Sequence, residues 1–266
     1  SIPSDWTYQL KEKCEEIGIT YLTSPYDFDS VDQVDPFVPA FKIGSGDITW
    51  HEILEYIAKK GKPVLLATGA SSFEEVKCAM SIIEKHSKNI VIMQCNTNYS
   101  ANKDNFRHIN LNVLKAYANA FPKAILGLSD HTHGHSSVVG SIPLGARVFE
   151  KHFTDDNSRN GPDHKFAMNP ISWKMMVEAA NEVFLALGDG VKVVEKNEKE
   201  TVYLQRRSLR YSKSLNKGHI ISKNDIFPLR PFQNIGIEPF NKQKIIGKKL
   251  KIEVSIDSIT KWEDFE

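Results

Sequence analysis

Few cysteines, no long apolar run and almost no net charge set the first bounds on this chain. The three cysteines, Cys14, Cys78 and Cys95, make no disulfide framework and match no zinc-site spacing. A reducing, cytoplasmic setting is therefore expected. No apolar run reaches the roughly 18 residues a bilayer span requires, and no signal peptide is recognisable. With 34 basic and 33 acidic residues the formal charge is +1, so neither a nucleic-acid nor a membrane surface is expected. A glycine-rich dinucleotide loop of the G-x-G-x-x-G kind is also missing, which counts against an open doubly wound sheet. The remainder is ordinary for a globular protein: 266 residues, 41% hydrophobic and 25% charged.

Short β-branched runs alternate with amphipathic stretches. Strands are expected at 19–25 (ITYLTSP), 41–45 (FKIGS), 64–69 (VLLATG), 90–95 (IVIMQC), 125–130 (ILGLSD) and 148–153 (VFEKHF). Helical patterns lie between them, at HEILEYIAKK, SFEEVKCAMSIIEKH, LNVLKAYANAF and SVVGSIPLGA, and ISWKMMVEAANEVFLALG follows. That alternation specifies parallel βαβ units. The repeat of about 20–30 residues suits a (β/α)8 barrel, the TIM fold, of which six strands are counted. The chain opens on a helix, so two strands are expected upstream of it. The barrel domain is taken as 1–190, a charged linker as 191–201, and a small β-rich domain as 202–266.

Barrel enzymes place their chemistry at the C-terminal ends of the strands. Those ends carry Lys42, Ser45 and Asp47; Thr68 and Gly69; Thr97 and Tyr99; Ser129, Asp130 and His131; and Glu150 with His152. Period-two alternation puts Glu150 and His152 on one face and Lys151 on the other. His131 and His152 top adjacent strands, close enough to share a divalent metal, or alternatively to hydrogen-bond within the rim. A site of two imidazoles and oxygen ligands suits Mn²⁺, with Mg²⁺ or Co²⁺ as alternatives. Lys42 inside a barrel needs an anion. A phosphate or carboxylate ligand would serve, and so would an internal salt bridge to Glu150 or Asp47. Asp163 sits in the turn GPDH, Arg230 precedes a proline in LRPF, and His133 and His135 read as a solvated loop.

These stretches resemble the sialic acid synthases. The resemblance rests on FKIGSGDITW, LLATG, MQCNTNYS, ILGLSDHTHG, GARVFEKHFTDD and NGPDHKFAMNP, then on RRSL, the KG turn, LRP and IIGKKL. It runs in order through nearly the whole chain, and its tail resembles the antifreeze-like, or SAF, domain. The resemblance implies a (β/α)8 barrel with a SAF domain, in a domain-swapped homodimer. It implies condensation of phosphoenolpyruvate with N-acetylmannosamine and water, giving N-acetylneuraminate and phosphate. Legionaminate or pseudaminate synthesis, and a non-catalytic carbohydrate-binding relative, are the alternatives. By motif position His131 and His152 are the implied Mn²⁺ ligands. Lys42, Ser45, Thr97 and Ser129 are the implied phosphoenolpyruvate contacts, with Asp47 and Thr68 beside them. Glu150, Asp163 and Tyr99 are implied to line the sugar and metal region, with Glu150, Asp163 and Lys42 as catalytic groups. Arg230 is implied to reach the sugar's N-acetyl group across the dimer. One departure stands at Ala67, where the family often has a serine.

Overall fold

The computed structural model describes residues 3, 5–100 and 102–266. The chain divides into two compact units, 1–189 and 190–266. Among the described residues no helix is long and apolar enough to cross a membrane.

The first unit opens with helix α1 (Trp6–Ile17) and a short α2 (Phe28–Val34). Five parallel strands follow in sequential order: β1 (Phe41–Ile43), β2 (Val64–Ala67), β3 (Ile90–Cys95), β4 (Ile125–Asp130) and β5 (Ala146–Lys151). Helices α3 (His51–Lys59), α4 (Phe73–Ile83), α5 (Val113–Ala120) and α6 (Ser136–Ser141) connect them, and α7 (Pro170–Ala186) closes the unit. Strand β3 is buried at every position, as a parallel strand covered on both faces must be. The main core lies between sheet and helices, where Phe41, Ile43, Leu66 and Ile92 meet Leu54, Ile57, Met80 and Ile83. Helix α4 starts where its sequence says: Ser72 and Glu75 form a reciprocal capping box.

The sheet is strongly curved. Lys42 on β1 and Glu150 on β5 are four inter-strand spacings apart, roughly 19 Å in a flat sheet. Their charged groups lie 3.2 Å apart. Strand tilt and curl of the kind that closes barrels bring the two ends together over the concave face. Between β4 and β5 the register shifts by one: Leu126 pairs with Ala146, but Gly127 pairs with Val148. Gly127 has no room for a side chain, since a Cβ there would sit 2.8 Å from the Val148 carbonyl oxygen.

The expected strand at 19–25 does not form. A single long bond, from the Lys42 N–H to the Thr23 carbonyl at 3.4 Å, is no ladder. Pro25 offers no donor, and Ile19 and Leu22 are exposed rather than packed. Helix α2, capped by Asp27 accepting from the Ser30 N–H, is the element that this reading lacked.

The second unit begins with a short helix α8 (Lys199–Gln205), which takes up part of the charged stretch read as linker. Antiparallel β6 (Ser208–Tyr211) and β7 (Ile226–Leu229) follow, with single bridges such as Leu215 to Val254 and Leu250 to Phe265. Its own core gathers Leu209, Tyr211, Ile221, Ile226, Ile237 and Leu250. Buried Asp225 ties the unit's turns together. It accepts from His219, from the N–H and hydroxyl of Ser222, and pairs with Lys213 at 3.0 Å. Burial alone would raise its pKa, but these donors outweigh it and hold the carboxyl well below the usual carboxylate range.

A carboxyl whose folded pKa is depressed stabilises the fold above its unfolded value, about 3.9, and loses that contribution as pH falls through the folded value. The second unit is therefore expected to keep its stability down to about pH 5 and lose it progressively below about pH 4. Urea unfolding followed by Trp262 fluorescence, with Trp6, Trp50 and Trp173 replaced by Phe, reads this acid limb. Asp225→Asn lowers stability at neutral pH and flattens the limb.

Candidate active site

The site forms on the concave face, at the C-terminal ends of β1 to β5. Strand parity decides which residues arrive there. Phe41 and Ile43 face the helices, so Lys42 between them faces inward. On β4 and β5, Ser129 pairs with Glu150 and Asp130 with Lys151. One step further along each strand stand His131 and His152, with ring centroids 5.0 Å apart.

Both imidazoles are oriented through the same nitrogen. His131 donates its Nδ1 proton to the Asn96 carbonyl at 2.8 Å. His152 directs Nδ1 at Asp163 Oδ2, 3.1 Å away. With Nδ1 committed in each ring, Nε2 is left to carry a lone pair, the arrangement that metal-ligating histidines use. Burial is the main cause that holds the His131 pKa below its ordinary value, and the neighbouring His152 adds to it. A neutral ring suits a ligand. Among the described residues no cluster of three or more His, Cys, Asp or Glu is arranged to hold a metal. The donor set that fits a divalent ion is thus two imidazoles, with the remaining positions open to substrate or water oxygens.

An aromatic wall backs the pair. The Tyr99 ring lies 4.3 Å from that of His131 and 5.5 Å from that of His152. Fully buried Phe166 packs 5.1 Å from His152.

The half that carries Lys42 lies beside it. The Lys42 side chain is 11% exposed, and its Nζ meets Glu150 and donates to the Ile43 carbonyl at 3.1 Å. The salt bridge to Glu150 is the one the sequence offered as the alternative to an anionic ligand. Asp47 is half-buried, and burial raises its carboxyl pKa against the opposing pull of Lys42. Ser45 Oγ accepts from the Gly69 N–H at 2.9 Å. Burial pushes the Cys95 thiol pKa up, against the opposing pull of Ser45 and Ser129, which makes it a structural rather than a reactive thiol.

Most of the expected residues therefore converge: Lys42, Ser45, Asp47, Thr97, Tyr99, Ser129, His131, Glu150, His152 and Asp163 form one continuous group. Thr68 does not join them. It is buried on the helix side, where its hydroxyl donates to the Met93 carbonyl and accepts from Tyr117, each at 2.9 Å. Its parity with Leu66, a core residue on that face, is the reason. Arg230 lies in the second unit, where its Nε donates to the Gln205 carbonyl at 2.7 Å and its peptide bond to Pro231 is cis. His133 is exposed and His135 half-buried, outside the pair.

Sequence reasoning missed Phe166, Asn96 and the packing role of Gly69. Phe166 and the Asn96 carbonyl have no local signature. Gly69 had one, a glycine ending a strand among polar residues.

Residues 1–192 match the NeuB family and residues 206–266 the SAF domain. The chain belongs to the NeuB family, as a TIM-barrel-type α/β domain with a C-terminal SAF domain. It is 35% identical to the N,N'-diacetyllegionaminic acid synthase of Campylobacter jejuni, over 89% of this chain and 70% of the relative. It is 32% identical to a pseudaminic acid synthase of the same species, over 99% and 75%. Among solved structures, the spore coat polysaccharide biosynthesis protein SpsE of Bacillus subtilis superposes with a TM-score of 0.66 at 28% identity. That match covers 100% of this chain and 78% of SpsE.

A Cβ at Gly69 would lie 2.4 Å from Thr97 Cγ2 and 3.0 Å from both Cys95 Sγ and Ser45 Oγ. Gly69→Ala is expected to cost about 1–3 kcal/mol of stability, as overpacking does. Urea unfolding of the variant against the parent measures it.

Proposed function

We propose that this protein condenses phosphoenolpyruvate with an N-acetylated hexosamine and water to give a nonulosonic acid and phosphate, with N-acetylmannosamine and N-acetylneuraminate as the first substrate–product pair to test. The observation that carries the reading is the two histidines, each anchored through Nδ1, set beside a shielded lysine. A second reading, a diacetylated hexose as acceptor, is favoured by the name of the relative at 35% identity.

In this reading Lys42 exchanges part of its pairing with Glu150 for the carboxylate or phosphate of phosphoenolpyruvate. A desolvated ammonium there is worth more than one in water. Ser45, Thr97 and Ser129 add hydroxyl donors, and the set holds the enol carbon facing the acceptor. His131 and His152 would hold a divalent ion, with Mn²⁺ as the candidate, and that ion would supply Lewis-acid polarisation of the open-chain sugar's aldehyde oxygen. Carbon 3 of phosphoenolpyruvate forms the new bond to the aldehyde carbon as the C=O π bond opens, and the aldehyde oxygen takes up a proton to become a hydroxyl. Water adds at carbon 2, and phosphate leaves as that carbon becomes the ketone. Asp163 is engaged in orienting His152, so Glu150 is the carboxylate assigned to proton transfer with the water. Tyr99 and Phe166 exclude solvent on the sugar side. Arg230 is proposed to reach the N-acetyl group in the site of a second copy, which makes the working unit a homodimer.

The full-length protein, supplied with phosphoenolpyruvate, N-acetylmannosamine and Mn²⁺, is expected to yield a nine-carbon keto acid by mass spectrometry, and chelator removes the product. A panel of diacetylated hexoses run alongside identifies the acceptor. Intact phosphoenolpyruvate with every hexose would sink the reading. His131→Ala is expected to abolish chelator-sensitive turnover. In steady-state kinetics Arg230→Ala raises KM for the sugar and leaves KM for phosphoenolpyruvate within about twofold; equal effects on both would rule out the contact with the sugar.

A further inference from the structure

On the side of β4 and β5 away from the site lies a second charged group, which touches no candidate ligand position. Lys151 and Asp130 pair at 2.8 Å with side chains 1% and 0% exposed. Such a pair is costly to bury and is retained only when every donor and acceptor is met. Here the ammonium is saturated: its three protons go to Asp130 Oδ2, the Thr132 carbonyl and the Gly134 carbonyl. Asp130 in turn accepts from the N–H and the hydroxyl of Thr132, and that hydroxyl also meets Ser137 Oγ on α6. These contacts grip the end of β4 and the turn that follows it, and His131 is the first residue of that turn. Lys151 is the residue before His152. One ammonium therefore fixes the backbone on both sides of the pair of imidazoles.

We infer that Asp130 and Lys151 are positioning residues that set the spacing of His131 and His152, and through it the affinity for the divalent ion. The inference rests on the metal reading above for the ligand, and on the geometry alone for the spacing. Outer-shell partners hydrogen-bonded to metal ligands change metal affinity by about 10–100-fold when removed, and Asp130 and Lys151 act one bond further out, through the backbone that carries the imidazoles.

The test uses the full-length protein as Lys151→Met, Asp130→Asn and the double variant. Mn²⁺ binding is read from the free-ion electron paramagnetic resonance signal, unfolding from circular dichroism, and the His131 Nδ1 proton, held by the Asn96 carbonyl, from NMR without metal. The single variants strand a buried charge and are expected to melt lower. The double variant removes both charges and is expected to recover much of that loss. Its turn still lacks the ammonium, so Mn²⁺ affinity stays at least tenfold down, kcat falls, and KM for phosphoenolpyruvate moves less than twofold. Its His131 Nδ1 proton also exchanges faster than in the parent. A folded double variant with parental Mn²⁺ affinity and a parental Nδ1 signal would overturn the inference. A parent that shows the protected Nδ1 proton but binds no Mn²⁺ would overturn the metal reading instead, and the spacing role is then decided by the Nδ1 exchange of the double variant alone.

Discussion

A lysine on the first strand and a glutamate on the fifth touch at 3.2 Å, although a flat sheet would hold them roughly 19 Å apart. Everything at the site depends on the curvature that closes that distance. Curvature gathers the strand ends over one concave face, so residues more than a hundred positions apart become neighbours. It also shields Lys42 from water, which makes its charge worth placing there. The helices hold the bend from outside: Leu54, Ile57, Met80 and Ile83 fill the convex side without a polar group among them.

The two faces of the sheet thus do different work with the same alternation. Inward, period-two parity delivers Lys42, Ser129, Glu150 and the two histidines. Outward, it delivers the apolar core and, at the rim of β4 and β5, the saturated pair of Asp130 and Lys151. The inward groups have open valences: Nε2 on both imidazoles and a lysine that can change partners. The outward ones have none. This division is what a site needs, with free bonding capacity only where a ligand arrives and satisfied groups behind it.

Much of this was legible in the chain. Buried parallel strands are continuous apolar runs, and IVIMQC and ILGLSD could hardly be anything else. Once strands are placed, their ends are placed, and Lys42, His131, Glu150 and His152 follow. Thr68 was misread because it was judged by its position at a strand end and not by its parity with Leu66. The stretch 19–25 has the composition of a strand but finds no ladder, and composition cannot show a missing neighbour. Phe166 and the Asn96 carbonyl were illegible for a different reason. A backbone oxygen has no residue type, and an aromatic in a loop packs wherever the fold carries it.

The one-residue shift between Gly127 and Val148 carries a consequence of its own. Arg147 is the extra residue, set aside to bond the Ile142 carbonyl and cover the Phe184 ring. Had the ladder run on evenly from Leu126 and Ala146, His131 would stand beside Lys151, and Asp130 beside Glu150. An ammonium would then face the imidazole, two carboxylates would be buried together, and His152 would point into the helices. The chemistry of the whole rim is in this sense an odd-or-even property: a single residue gained or lost at the start of β5 exchanges its polar and apolar faces without altering one functional side chain.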